Sequence, residues 1–153
     1  MVKKDIPVTL YYCAERTLTM AGIPHFAQEV MELMYDDMEN AGIEITGPPE
    51  FQYYNVDPTG EKPFQLIIAL PVAEQKEAGS FFFMQSEPFP CLSIDYKGAM
   101  AGIGDAWMEL ASKAVSESYL LANQGREVYK EWEGTESVNN LTELQIGILA
   151  KKQ

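Results

Sequence analysis

The chain has 153 residues, of which 46% are hydrophobic and 22% charged; this suits one domain or two small halves sharing a core, and excludes wholesale disorder. Its formal net charge of −12 opposes any phosphate backbone, so direct nucleic-acid binding is not expected, while cations are drawn to it. The longest apolar run, Leu66 to Ala73, is far below the roughly 20 residues that span a bilayer, and MVKKDIPV lacks the apolar stretch and cleavage site of a secretion signal. Cys13 and Cys91 stand apart without CxxC spacing and read as reduced, partly buried thiols of a cytoplasmic protein with no membrane attachment.

In chain order, Val8 to Ile23 reads as extended, with Val8, Leu10, Tyr12, Leu18 and Met20 at alternate positions. Gly22, Ile23 and Pro24 end that stretch, and Pro24 suits a first helical turn. The spacing of Phe26, Val30, Leu33, Met34 and Met38 predicts a helix from about Pro24 to Asn40, stopped by Gly42. Phe51 to Val56 and Phe64 to Val72 read as strands joined by the turn-rich DPTGEKP; the second is apolar on both faces and therefore central in its sheet. Ala73 to Gly79 is polar and reads as a linker. FFFMQ and CLSIDYKG are extended again, bent by Pro88 and Pro90. A second helix is expected over Ile103 to Asn123, with Ala106, Trp107, Leu110, Ala111, Ala114 and Val115 inward. Strands over Arg126 to Trp132 and Leu141 to Leu149 close the chain.

That order repeats. Arg16 to Gly22 (RTLTMAG) lies over Leu92 to Gly98 (LSIDYKG), Val30 to Leu33 over Trp107 to Leu110, and Ile67 to Val72 over Glu143 to Ile148. The expected fold is α+β: a duplicated β-α-β-β unit with pseudo-twofold symmetry, antiparallel sheets and two long helices around a central cleft. Repeat one covers about 7–73, a linker about 74–79 and repeat two about 80–149, all within one domain over 1–153. At matched positions the first half has Ile67 where the second has Glu143, and Val30 where the second has Trp107, so the second half carries an aromatic and a carboxylate that the first lacks. The last strand, LTELQIGIL, puts Leu144, Ile146 and Ile148 on one face and Glu143, Gln145 and Gly147 on the other.

With these residues in view, the chain resembles the GyrI-like small-molecule-binding family, also called the AraC-type effector-binding domain, along almost its whole length. The resemblance rests on Tyr96, Lys97 and Gly98 closing a strand, Trp107 in a helix, Glu127, Val128 and Tyr129 in a strand, and Glu143, Leu144, Gln145 and Ile146 opening the last one. Many members carry Tyr and Pro where this chain has Gln145 and Gly147, although Pro71 is present in the first half. The resemblance implies a concave cleft for bulky, often cationic aromatic compounds. It also points to a stand-alone member, since only a few residues precede the first expected strand and relatives are often fused to a DNA-binding module.

Glu143 is then the candidate cleft floor, because a desolvated carboxylate seeks a proton or a cation. Trp107, Tyr129, Tyr96, Glu127 and Tyr54 complete the candidate ligand-binding set, each also readable as ordinary packing. His25 is the only histidine and sits at a helix start, so neither a zinc site nor a Ser-His-Asp triad is supported, and no phosphate or dinucleotide glycine motif occurs. No cofactor is expected. Three functions fit: capture of lipophilic or cationic small molecules; hydrolysis of a strained or electrophilic ring by Glu143 or Glu127 with a tyrosine; and an acidic interaction protein with a protein partner such as a regulator or gyrase.

Overall fold

The computed structural model describes residues 1–57 and 59–151, so Pro58 of the expected DPTGEKP turn lies outside the described residues. In chain order the elements are β1 (Val2–Ile6), β2 (Leu10–Leu18), a 3₁₀ turn (Met20–Gly22), α1 (Ile23–Ala41), β3 (Glu50–Tyr54), β4 (Phe64–Pro71), β5 (Phe82–Gln85), β6 (Phe89–Lys97), a second 3₁₀ turn (Met100–Gly102), α2 (Ile103–Ser116), β7 (Tyr119–Glu131) and β8 (Leu141–Lys151). They form two units. The first is Val8–Glu87, and the second joins Met1–Pro7 to Pro88–Gln153. The chain is thus α+β, with every strand pairing inside a unit antiparallel.

In the first unit the strand order is β3-β4-β2-β5. β4 is central, as its two-sided apolar pattern requires. Alternation along β2 sends Tyr12 toward α1, where its hydroxyl donates to Asp37 Oδ2 at 2.7 Å, and sends Tyr11 and Cys13 to the opposite face with Ile67 and Ala69. The buried seam of α1 is Phe26, Val30, Met34 and Met38, a strict four-residue row. Leu33, expected in that stripe, is 54% exposed. A helix turns about 100° per residue, so beside Met34 it points a quarter-turn or more away from the seam. Gly42 ends the helix at φ +67°.

In the second unit the order is β1-β6-β8-β7, the same connectivity as the first with β1 in the place of β5. α2 covers one face, burying Ala106, Leu110 and Ala114 against Leu92, Leu144 and Ile148. Both helices start from an identical tetrapeptide, Met20 to Ile23 and Met100 to Ile103, with Gly22 and Gly102 as N-caps. The structural counterpart of Gly22 is therefore Gly102 and not Gly98, and the match of Val30 to Trp107 is out of register: Val30 corresponds to Leu110.

Three further expectations are corrected. The segment MVKKDIPV contains strand β1, and the edge strand β5 belongs with the first unit. The second helix stops at Ser116, seven residues early: Ser118 takes φ +70°, and Tyr119 onward is strand, although no glycine or proline marks the break. Within that helix Val115 is 60% exposed and Ala111 half-buried, for the same rotational reason as Leu33. Among the described residues no helix is long and apolar enough to cross a membrane.

The seam of α1 can be tested directly. Met34→Ala, at a fully buried site, should lower unfolding free energy by about 2–5 kcal/mol, and Leu33→Ala should change it by less than about 0.5 kcal/mol. Urea denaturation measures both, and equal losses would return the stripe to the broader arc that spacing alone drew.

Candidate functional site

Directly opposed residues of antiparallel strands share a face, so register decides which candidates can meet. In the second unit, β6, β8 and β7 oppose Asp95 to Glu143 and Glu143 to Val128, and oppose Tyr96 to Thr142, Thr142 to Tyr129 and Leu144 to Glu127. Tyr96, Glu127, Tyr129 and Trp107 therefore lie on the side covered by α2. Glu143 lies on the other, helix-free side. The expectation that Glu143 sits among Tyr96, Trp107 and Tyr129 is corrected by this parity, although the alternation along β8 itself stands as expected.

On the helix-free face Glu143 is 5% exposed and well provided with donors. Lys4 Nζ, Ser93 Oγ and Gln145 Nε2 donate to Oε2 at 2.9, 2.8 and 2.9 Å, and Lys130 Nζ lies 3.3 Å from Oε1. Lys130 also holds Asp95 Oδ1 at 3.1 Å. Burial alone would push the Glu143 carboxyl up, but bonds from Gln145, Lys4, Ser93 and Lys130 outweigh it and bring it down to about 2. It is an anion with two ammonium counter-ions, and not the unpaired carboxylate expected from sequence. The same face holds Arg126, whose guanidinium carbon lies 4.1 Å from the Phe89 ring centroid. Lys4 went unnoticed because β1 did; its position opposite Cys91, on the same face as Glu143, is legible only once β1 is paired.

On the α2 side, Trp107 Nε1 donates to Glu127 Oε2 at 2.7 Å, and the Tyr129 hydroxyl donates to Glu127 Oε1. Glu127 and Tyr129 are both buried, and the Trp132 ring packs edge-on against Tyr129 at 5.6 Å. These three candidates are brought together, tying α2 to β7. A Cβ at Gly125 would lie 3.1 Å from Trp107 Cη2, so the bare glycine backbone lets the indole lie against β7. Tyr96 is placed apart from them: its hydroxyl donates to Ala99 O at 2.6 Å, and a Cβ at Gly102 would collide with the Tyr96 hydroxyl. The aromatic and the glycine of the N-cap thus form one closed turn leading into α2.

Tyr54 belongs to the first unit. On its helix-free face the Tyr54 hydroxyl donates to Gln52 Oε1 at 3.2 Å, Gln52 Nε2 to Glu50 Oε1 at 3.1 Å, and the Tyr11 hydroxyl to both Glu50 oxygens at 3.2 and 3.1 Å. Glu50, a buried carboxylate, was missed. The available signal was its Glu-x-Gln spacing with Gln52, which matches Glu143 and Gln145; in both strands the amide donates to the carboxylate two residues away. A solvent-open hollow of about 580 Å³ lies elsewhere in the first unit, along Gln75 to Ala78 and Phe81 to Phe83, and holds none of the six candidates. Among the described residues no cluster of three metal-ligating side chains occurs.

No protein-family model and no curated protein matches the sequence. Solved structures do. The C-terminal domain of EcmrR superposes with a TM-score of 0.82 at 19% identity, over 97% of this chain and 96% of that domain. In the EcmrR–DNA complex the TM-score is again 0.82, at 20% identity, and the match covers 99% of this chain but 57% of that longer one. SAV2435, solved bound to tetraphenylphosphonium, gives 0.68 at 12% identity over 97% of this chain and 93% of that one. A hydrolase from Listeria innocua gives 0.65 at 10% identity over 97% and 91%. At these identities the likeness is one of fold: the chain has the GyrI-like fold, as the resemblance implied.

The low Glu143 value carries a pH signature. Its folded pKa lies below the ordinary 4.5, so the stabilisation is fully present above that value and is lost as pH falls through about 2. Glu143→Gln should therefore be less stable than wild type at neutral pH, by a few kcal/mol at most, and urea unfolding should show the gap closing on acidification. A gap that stays constant would mean the ammonium contacts contribute nothing. Tyr96 gives a contrasting prediction: Tyr96→Phe removes one hydrogen bond and should lower stability by about 1 kcal/mol, leaving small-molecule affinity, followed by calorimetry, unchanged.

Proposed function

We propose that this chain is a small-molecule-binding domain of the effector type that takes bulky, lipophilic, cationic aromatic compounds, with Glu143 as the charge-reading group. The supporting observation is the state of Glu143: a buried carboxylate, kept ionised, whose partners are two aliphatic ammonium groups of 38% and 34% side-chain exposure. A buried anion that already accepts ammonium ions can accept a ligand cation in their place, and it has no need of a proton at neutral pH. SAV2435 with its bound tetraphenylphosphonium gives an instance of this fold holding such a ligand. Tyr54, half-buried on the helix-free side of its own unit, has an aromatic ring with a polar tip. Trp107, Glu127, Tyr129 and Tyr96 are read as scaffold, since their polar atoms bond to one another or to backbone.

Hydrolysis is the weaker reading, although the fold includes a hydrolase. A general base works best with a pKa near the operating pH, and a carboxyl held near 2 is a feeble base at neutrality. Glu127 already accepts from Trp107 and Tyr129.

Calorimetry with tetraphenylphosphonium and a neutral aromatic of similar size tests the binding reading. Glu143→Gln keeps shape and removes charge; it should weaken the cation about ten- to a hundredfold, the worth of a charge-assisted contact of roughly 1.5–3 kcal/mol, and weaken the neutral compound much less. Equal weakening of both would make Glu143 a wall and not a reader of charge; no effect on either would place the site elsewhere.

A further inference from the structure

Resting on that ligand reading, we infer that Lys4 of β1 is a built-in cation that occupies Glu143 in the empty protein and must be displaced by a cationic ligand, so that it sets the threshold of charge recognition. The two lysines at Glu143 are not equivalent. Lys130 is held from two sides, by Asp95 at 3.1 Å and Glu143 at 3.3 Å. Lys4 makes its one ion pair among the described residues with Glu143, at 2.9 Å. Its stem rises from a five-residue strand whose partner within the unit is β6 alone. Its side chain is 38% exposed, so the ammonium can swing into water with little loss of hydration, whereas Glu143, 7% exposed at its side chain, cannot follow.

The two carboxylate oxygens are also unequally used. Oε2 receives Lys4, Ser93 and Gln145, and Oε1 receives the longer contact from Lys130. Departure of Lys4 leaves Oε2 with two neutral donors and a vacant charge contact, which only a cation refills without leaving the buried anion short of a partner. Binding is then an exchange of one cation for another. Lys4 weakens cationic ligands by the worth of the pair it loses, and neutral ligands, which do not need its place, feel nothing. Being neutralised from within also spares the empty protein a buried unpaired charge.

Lys4→Met keeps the length and most of the aliphatic stem and removes the ammonium. Calorimetry with tetraphenylphosphonium should show binding about two- to fivefold tighter than wild type, the range of a part-exposed ion pair, with a neutral triphenylphosphine oxide unchanged; Lys4→Arg should stay at or below wild-type affinity for the cation. The carboxyl signal of Glu143, followed by NMR in the same variant without ligand, should titrate at higher pH than in wild type. Tight cation binding that Lys4→Met leaves unaltered, or an unmoved Glu143 titration, overturns this inference alone. A wild type and variant that both ignore tetraphenylphosphonium overturn the ligand reading and this inference with it.

Discussion

A strand has two faces, and its residues alternate between them without exception unless a bulge intervenes. In the second unit this parity divides the chemistry. Leu144, Ile148 and Glu127 are committed to the side under α2, and Glu143, Gln145 and Ser93 to the side that no helix covers. Slipping β8 by one residue would drive Glu143 beneath α2 and expose Leu144, so the apolar seam of the helix enforces the position of the carboxylate. Packing on one face holds the charge on the other.

The second consequence of parity is that the polar residues form two separate systems with different roles. Trp107, Glu127 and Tyr129 make a hydrogen-bonded group that joins helix to sheet, and buried polar networks of this sort specify one arrangement of a core. Glu143 instead draws on groups that still reach water. A carboxylate fastened by part-exposed lysines stays ionised while its counter-ions keep contact with solvent.

Much of this was legible in the sequence because strong periodicities report local geometry. The row Phe26, Val30, Met34 and Met38, the two-sided apolar run of β4 and the alternation of β8 all appear where spacing put them. What was lost had physical causes. The end of α2 is made by Ser118 in a left-handed conformation, for which no glycine or proline stood as a marker, so Leu120 and Leu121 read as more helix. β1 is a short strand at the edge of its unit with Lys3, Lys4 and Asp5 among five residues, a composition that resembles a solvated tail until its partner is known. Long-range pairing is what sequence spacing cannot supply: Lys4 meets Glu143, and Tyr11 meets Glu50, only through register. The Glu-x-Gln pattern of β3 was visible but was masked by the aromatic letters between and after it.

The place of β1 has a bearing on how the chain acquires its structure. The first unit is a continuous segment, Val8–Glu87, and every contact within it is available once that segment exists. The second unit takes its edge from a segment on the other side of the first unit in sequence, and the Lys4–Glu143 pair spans a separation of 139 residues. In a chain made from its amino terminus, 139 further residues must follow Lys4 before its counter-ion is present, and contacts of such separation close late because the loop they seal is long. The strand that carries Lys4 is thus fitted late, after the strand β6 that receives it.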